Sequence, residues 1–248
     1  MSIIALHSIK GGVGKTSACI NLAYLAAMEG AATLLCDLDP QGSASFCLRI
    51  RPLKKFSTKK LIAGGSKIDE SIRGTDFDNL DLLPSKMSYR NIGLILNSLK
   101  KSRKRLKSIL GGLQEQYDYI FLDCPPNIDL MSENVFVAAT HILVPLIPTP
   151  LSRVSFQKLL KFFEKEKMDQ SKIVAFFSMV ENRKSVHQQT MMEMSKLYPR
   201  LLKTTIPYRS AVEKMTVRRQ PLPVYDSRSA ATLKYEALWR EFREIMNT

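Results

Sequence analysis

The sequence predicts a single α/β domain whose mostly parallel, twisted sheet is covered by helices on both faces. The chain has 248 residues, 45% of them hydrophobic, which is enough to bury one substantial core. A strand, loop, helix and strand follow one another over residues 3–36, and short apolar segments recur later with helical patterns between them. We therefore expect one domain over residues 1–248.

Hydrophobic patterning places the individual elements. Strands are predicted over residues 3–6, 33–36, 80–83, 119–122, 141–146, 173–177 and 202–205. Helices are predicted over residues 17–28, 94–113 and 230–246, and Gly30 has the position of a residue that closes the first of them. Residues 43–78 have no clear pattern. The sequence has no internal repeat and no low-complexity linker.

Charge and cysteine usage limit the class of protein. Lys and Arg number 37 against 23 Asp and Glu, which gives a net charge of +14 and favours a polyanionic partner or an acidic membrane surface. The four cysteines have no Cys-x-x-Cys spacing, so we expect reduced thiols rather than a zinc or cluster site. No apolar run of membrane-spanning length and no secretory signal occur, which predicts a cytoplasmic protein.

A phosphate-binding loop is predicted between the first strand and the first helix. Its residues are Lys10, Gly11, Gly12, Val13, Gly14, Lys15, Thr16 and Ser17. Glycines let successive backbone N–H groups curl around phosphates, Lys15 can reach the β- and γ-phosphates, and the Thr16 hydroxyl can bind Mg²⁺. ATP and Mg²⁺ are thus the expected cofactors. The alternative is a glycine-rich turn that only joins strand to helix.

One departure from the general pattern is informative, because Ile9 replaces the usual first glycine and a second lysine, Lys10, precedes the glycine pair. In this the sequence resembles the ParA/MinD family of P-loop ATPases, with their deviant Walker A motif, and is most similar to small ParA/Soj-type partition ATPases. The resemblance implies that Lys10 reaches the partner's phosphates in an ATP-bound homodimer. A solvated loop lysine is the alternative.

Three further segments extend the resemblance over nearly the whole chain. Residues 37–42, Asp-Leu-Asp-Pro-Gln-Gly, resemble the family's switch I, which implies that Asp39 positions the attacking water; alternatively Asp39 only starts a turn. Residues 121–126 resemble the Walker B strand and switch II, so Asp123 would hold Mg²⁺, unless it caps the following helix. The Ile-Pro turn at Pro207 resembles the loop that helps to hold adenine.

Some members of this family bind nucleoid DNA, and others, like MinD, bind membrane through a C-terminal amphipathic helix. Basic residues stand where DNA-riding relatives carry them, which predicts non-specific DNA binding and a nucleoid-associated protein; they are Arg183, Lys184, Arg209, Lys214, Arg218, Arg219 and Arg228. Each could also be an ordinary solvated charge. Acidic residues interrupt the polar side of the C-terminal helix, so we expect Leu233, Leu238, Trp239 and Phe242 to pack on the domain, and membrane binding is the less favoured reading.

The expected activity is hydrolysis of ATP to ADP and phosphate, weak until a ParB-like or cargo adaptor protein stimulates it. The phosphate loop begins so close to Met1 that no N-terminal helix-turn-helix domain is expected. A phosphate-transferring enzyme, or a metal or electron carrier, is the alternative from another class. The dense basic run from Lys100 to Lys107 is given no function, and the motifs do not identify the cargo.

Overall fold

The computed structural model describes residues 1–55, 57–99 and 102–247. Within them, eight strands form one sheet in the order β3-β4-β2-β5-β1-β6-β7-β8, parallel throughout except that β3 pairs antiparallel with β4. The strands are β1 (Ser2–Leu6), β2 (Thr33–Asp37), β3 (Arg73–Gly74), β4 (Leu80–Leu83), β5 (Tyr119–Asp123), β6 (His141–Leu146), β7 (Ile173–Val180) and β8 (Leu201–Pro207).

The helices of the described residues lie on both faces of this sheet. They are α1 (Lys15–Met28), α2 (Ser43–Cys47), α3 (Thr58–Ala63), α4 (Ser66–Asp69), α5 (Ile92–Asn97), α6 (Arg105–Gly111), α7 (Leu130–Ala138), α8 (Pro150–Lys165), α9 (Ser185–Leu197), α10 (Ser210–Glu213), α11 (Met215–Arg218), α12 (Leu222–Tyr225) and α13 (Ala230–Met246), with short 3₁₀ turns at Met87–Asn91, Ser102–Lys104 and Gln170–Lys172. The predicted fold class is confirmed.

Successive side chains of strand β1 lie in two separate hydrophobic cores, one on each face of the sheet. Ile3 and Ala5 belong to the core that contains α7 and α8, whereas Ile4 and Leu6 belong to the core that contains α1 and α13. Successive side chains of a strand point to opposite faces, so a strand buried on both sides must be apolar at every position. This is why the short apolar runs were readable as strands.

The C-terminal helix packs on the domain as predicted. Its Leu238, Trp239 and Phe242 are buried, and the Trp239 indole N–H donates to the Glu29 carboxylate at 3.1 Å. The Glu241 carboxylate accepts the backbone N–H groups of β8 at 2.7 and 2.8 Å. Leu233, placed in the same apolar row by the sequence, is instead 54% exposed. Among the described residues, no helix is long and apolar enough to span a lipid bilayer.

The prediction of one long helix over residues 94–113 is wrong. Helix α5 ends at Asn97, a 3₁₀ turn covers Ser102–Lys104, and α6 begins only at Arg105. Like charges three and four residues apart destabilise a helix, and this segment is the densest basic run of the chain. Arg103 instead turns to the carboxylates of Glu133 and Glu166. Lys100 and Lys101 lie outside the described residues.

Residues 43–78, which carried no readable pattern, contain α2, α3, α4 and β3. These elements have two to six residues each, too short for a repeating hydrophobic period to register. The four cysteines are buried as free thiols.

Candidate nucleotide-binding site

The loop between β1 and α1 has the backbone that a phosphate cradle needs. Gly12 and Gly14 adopt the left-handed conformation, with φ of 69° and 85°. A Cβ on Gly14 would lie 2.9 Å from the Ser178 hydroxyl oxygen, so only glycine fits there without strain. Gly14 also precedes α1 without a side-chain cap, which leaves the first N–H groups of that helix available to an anion.

Two lysines flank this loop in different settings. Lys15 is the first residue of α1 and is only 7% exposed, and its ammonium group lies close enough to Asp123 to interact with its charge. Lys10 is half-buried, and its backbone N–H donates to the Ser8 hydroxyl at 3.3 Å. Burial of an ammonium group is costly unless an anion accompanies it; the Asp123 carboxyl group is one such anion, and a bound phosphate would be another.

Asp37 and Asp123 end the neighbouring strands β2 and β5 and are buried together. One Asp37 oxygen accepts the backbone N–H and the hydroxyl of Ser45, both at 2.7 Å. Its other oxygen and both oxygens of Asp123 have no hydrogen-bond partner in the described part of the chain. Three buried oxygens are thus left unpaired at one end of the sheet.

The electrostatics of these carboxyl groups follow from their burial. Burial raises the pKa of Asp37 to about 6, although its hydrogen bonds from Ser45 oppose this. Burial and the charge of Asp37 raise the pKa of Asp123 well above its usual range, against the opposing effects of the Lys15 ammonium group and of the nearby Thr16 hydroxyl, which makes no hydrogen bond of normal geometry to Asp123. Unpaired carboxylate oxygens beside a threonine hydroxyl are ligands that suit Mg²⁺, which would supply the missing positive charge. The residues present therefore fit the expected metal.

The loop after β2 carries Asp39 and is fixed by serines. The Asp39 carboxylate accepts the Gln41 N–H at 2.9 Å, and its backbone carbonyl accepts the Ser85 hydroxyl at 2.5 Å. The Ser85 N–H in turn donates to the Ser45 hydroxyl at 2.9 Å. Ser45 therefore holds the Asp37 carboxylate and Ser85 holds the Asp39 backbone, and sequence reasoning missed both serines because no local motif joins them.

Two further residues of the site were not assigned a role from the sequence. Asp37 lies in the same short motif as Asp39, and its place at a strand end beside Asp123 could have indicated it. Buried His7 directs its Nε2 to the Asn127 carbonyl at 2.9 Å, and burial lowers its pKa to about 4. The neutral ring therefore donates this hydrogen bond and ties β1 to the loop after Asp123.

Pro207 lies where a base could approach the phosphate loop. A mainly apolar cavity is lined by Gly14, Met179, Ile206, Pro207 and Tyr208, among others. A wider pocket of about 440 Å³ adjoins it, and Pro207, Tyr208 and Arg209 line both. The structure thus brings Pro207 and Gly14 together although they are far apart in sequence.

The seven basic residues predicted to contact DNA divide by their surroundings. Arg183 and Arg209 line the wider pocket together. Lys184 pairs with Glu181 at 2.5 Å, and the guanidinium of Arg219 lies over the Phe46 ring. The other three are exposed; they are Lys214, Arg218 and Arg228.

A left-handed glycine loop at the start of a buried helix, a lysine within it and a carboxylate at the end of an adjacent parallel strand define a P-loop nucleotide-hydrolysing protein. Comparisons with known proteins agree. A family model described as an AAA domain matches residues 1–176. The chromosome-partitioning ATPase Soj of Treponema pallidum is 28% identical over 94% of this chain and 93% of its own length.

Two other relatives are similar over nearly their whole length. The sporulation initiation inhibitor protein Soj of Bacillus subtilis is 27% identical over 96% of this chain and 97% of its own. A candidate plasmid partition protein from Borrelia burgdorferi, solved with bound AMPPNP, superimposes with a TM-score of 0.85 at 25% identity and covers 98% of both chains. The chain belongs to the ParA/MinD family of P-loop ATPases.

Proposed function

We propose that the protein is a partition or positioning ATPase that binds DNA without sequence preference when ATP has made it a homodimer. Hydrolysis, stimulated by a ParB-like or cargo adaptor protein and weak without it, then releases the DNA. The observation that carries the proposal is that two cavities adjoin: the one beside the phosphate loop and the pocket lined by Arg183 share Pro207, Tyr208 and Arg209. The proposed nucleotide site therefore lies next to the basic residues proposed to contact DNA.

Each part of the nucleotide site has a proposed task. The loop holds the phosphates through Gly11, Gly12, Val13, Gly14, Lys15, Thr16 and Ser17. Thr16 and Asp123 would hold Mg²⁺, which would supply positive charge that neutralises the phosphates. Asp39 positions the attacking water, Lys10 acts on the partner's phosphates, and the Pro207 turn contacts the base.

The DNA surface is proposed from charge and placement. The chain carries a net charge of +14, and two copies brought together by ATP would join their basic surfaces into one. The proposed contacts are Arg183, Lys184, Arg209, Lys214, Arg218, Arg219 and Arg228. Contacts to phosphate alone need no base recognition, which suits transport over the nucleoid. This surface supports a cytoplasmic, nucleoid-associated protein.

The runner-up is a membrane-positioning ATPase that inserts its C-terminal helix into lipid. Leu238, Trp239 and Phe242 of that helix are buried against the domain, and Glu241 binds the β8 backbone. Insertion would have to expose this core and break those hydrogen bonds. Burial therefore favours DNA as the partner surface.

Binding to random-sequence duplex and to anionic vesicles, with and without ATP, tests the proposal. If about six phosphates are neutralised, duplex affinity should fall roughly a thousandfold between about 50 and 200 mM salt. Arg183→Ala and Arg209→Ala should each lower the slope of that salt dependence by about one. Lys15→Ala provides the control that cannot respond to ATP. Vesicle binding that is lost on deleting residues 230–248 from a still-folded protein, without ATP-dependent duplex binding, would instead favour the membrane-positioning ATPase.

A further inference from the structure

The helix that follows switch I is too short to hold its own position. Helix α2 has five residues, follows a left-handed Gly42 and has no side-chain cap. A helix of this length is unstable in isolation and depends on tertiary contacts. Its Ser45 donates both hydrogen bonds that Asp37 accepts. The position of α2 therefore sets the position of a carboxylate in the nucleotide site.

Arg219 contacts the outer side of this helix. Its guanidinium lies over the Phe46 ring, 4.6 Å from the ring centroid, and its Nε donates to the Phe46 carbonyl at 2.9 Å. One side chain thus makes a cation–π contact and a charge-assisted hydrogen bond at the C-terminal turn of α2, where positive charge is favourable. Phe46 is 53% exposed, and the Arg219 guanidinium covers one face of its ring.

The segment that carries Arg219 is itself anchored to the helix of the phosphate loop. The sulfur of buried Met215 in α11 accepts the Asn21 amide N–H at 3.3 Å, and the Asn21 carbonyl oxygen accepts the Leu222 N–H at 2.8 Å. Asn21 belongs to α1, in the second turn after the loop. Arg219 adopts the left-handed backbone conformation, with φ of 54°, and its backbone N–H donates to the Met215 carbonyl at 2.7 Å.

We propose that Arg219 is a positioning residue for ATP hydrolysis, which connects the phosphate-loop helix α1, through α11, to the switch I helix α2. Without it, α2 loses its outer contact, and Ser45, although it still accepts the Ser85 N–H, holds Asp37 beside Asp123 less firmly. Nucleotide binding depends on the loop before α1 and is retained. The inference rests on the proposed hydrolytic function and is separate from the proposed contact of Arg219 with DNA.

Steady-state ATP hydrolysis by the full chain, measured without DNA, tests the role of Arg219. Arg219→Ala should lower kcat about tenfold and change KM for ATP less than twofold. A residue that only contacts DNA would leave this rate unchanged. Arg219→Lys should fail to restore the rate, because an ammonium group lacks the planar face and the Nε donor. Arg240→Ala, which removes an exposed arginine of α13, is the matched control and should hydrolyse ATP at the wild-type rate.

A double-mutant cycle tests whether Arg219 acts on hydrolysis through its contact with Phe46. Phe46→Ala should reproduce the fall in kcat, and the double variant should fall no further than either single one. Additive losses, or a folded Arg219→Ala protein with wild-type kcat, would overturn the proposal. Arg219→Gly accommodates the left-handed backbone and supplies the same comparison if the alanine variant is unstable. Failure of the unmodified protein to hydrolyse ATP would count against the proposed function instead.

Discussion

Asp37 and Asp123 are register partners at the carboxyl ends of β2 and β5, and both side chains are fully buried. Three of their four carboxylate oxygens have no partner among the described residues. Two buried carboxyl groups beside each other resist full ionisation, because each charge is desolvated and repels the other. The pair is therefore a source of instability that a bound divalent cation would relieve.

Replacing Asp37 with asparagine should stabilise the metal-free protein at high pH. Asp37 has a pKa of about 6 in the fold against 3.8 as its ordinary value, so the folded state binds the proton more tightly. The resulting instability is absent below pH 3.8, grows as the pH rises and is complete above about pH 6. Urea unfolding in EDTA should show a gain on the order of 1–3 kcal/mol at about pH 8 relative to about pH 4.5.

Asp78→Asn serves as the matched control, since it removes a carboxylate from an exposed position. In the Asp37→Asn variant the new amide carbonyl can still accept both hydrogen bonds from Ser45, so this hydrogen bonding is kept. Mg²⁺ should stabilise the wild-type protein more than the Asp37→Asn variant. An equal effect of the substitution at both pH values would show that the carboxyl group bears no desolvated charge.

Alanine should be tolerated less well at Gly14 than at Gly12. Both residues are left-handed, which costs alanine about 1 kcal/mol, but only the Cβ at position 14 would approach Ser178, to 2.9 Å. Gly14→Ala should therefore lower the free energy of unfolding by roughly 2–4 kcal/mol and Gly12→Ala by about 1 kcal/mol. Urea unfolding without nucleotide measures both. Adding Ser178→Ala should recover part of the loss at Gly14, and equal costs at the two glycines would contradict the predicted clash.

Much of the fold was predictable because its elements carry local signals. The strand Leu80–Leu83 and the helix Ala230–Met246 were predicted with the bounds that the structure shows. The continuous apolar pattern reflects burial of each strand on both faces. Strand β7 continues to Val180, three residues beyond its prediction, because Ser178 interrupts the apolar run while pairing with β8 continues.

In the candidate site, too, the residues with a local sequence signal were predictable and the long-range contacts were not. Lys15 and Asp123 could be predicted as site residues because their motif and strand context are local in sequence. The Ser85–Ser45, His7–Asn127 and Arg219–Phe46 contacts join residues 40, 120 and 173 positions apart. No short pattern records such pairs, since tertiary packing alone brings them together.

Lys15→Ala should abolish measurable ATP binding, whereas Lys10→Ala should retain it. Lys15 is 7% exposed at the start of α1, and the loss of two charge-assisted phosphate contacts should weaken binding about a hundredfold or more. Lys10 is proposed to act across the dimer, so a single subunit should bind ATP without it. Calorimetric titration with Mg²⁺ and ATP compares the two variants. Unchanged affinity in Lys15→Ala would disprove the phosphate-loop assignment.

Asp39→Ala should bind ATP and dimerise but scarcely hydrolyse it. The substitution removes the carboxylate proposed to position water and leaves the Asp39 carbonyl, which accepts the Ser85 hydroxyl and the Gly42 N–H, in place. The loop should therefore keep its fold while hydrolysis falls about a hundredfold or more. Light scattering and phosphate release measure the two properties.

Lys10→Ala is the matched comparison, because it should bind ATP and stay monomeric. An Asp39→Ala protein that hydrolyses ATP within a few-fold of the wild-type rate would assign the water to another residue. A wild-type monomer with ATP bound would rule out a role for Lys10 across the dimer.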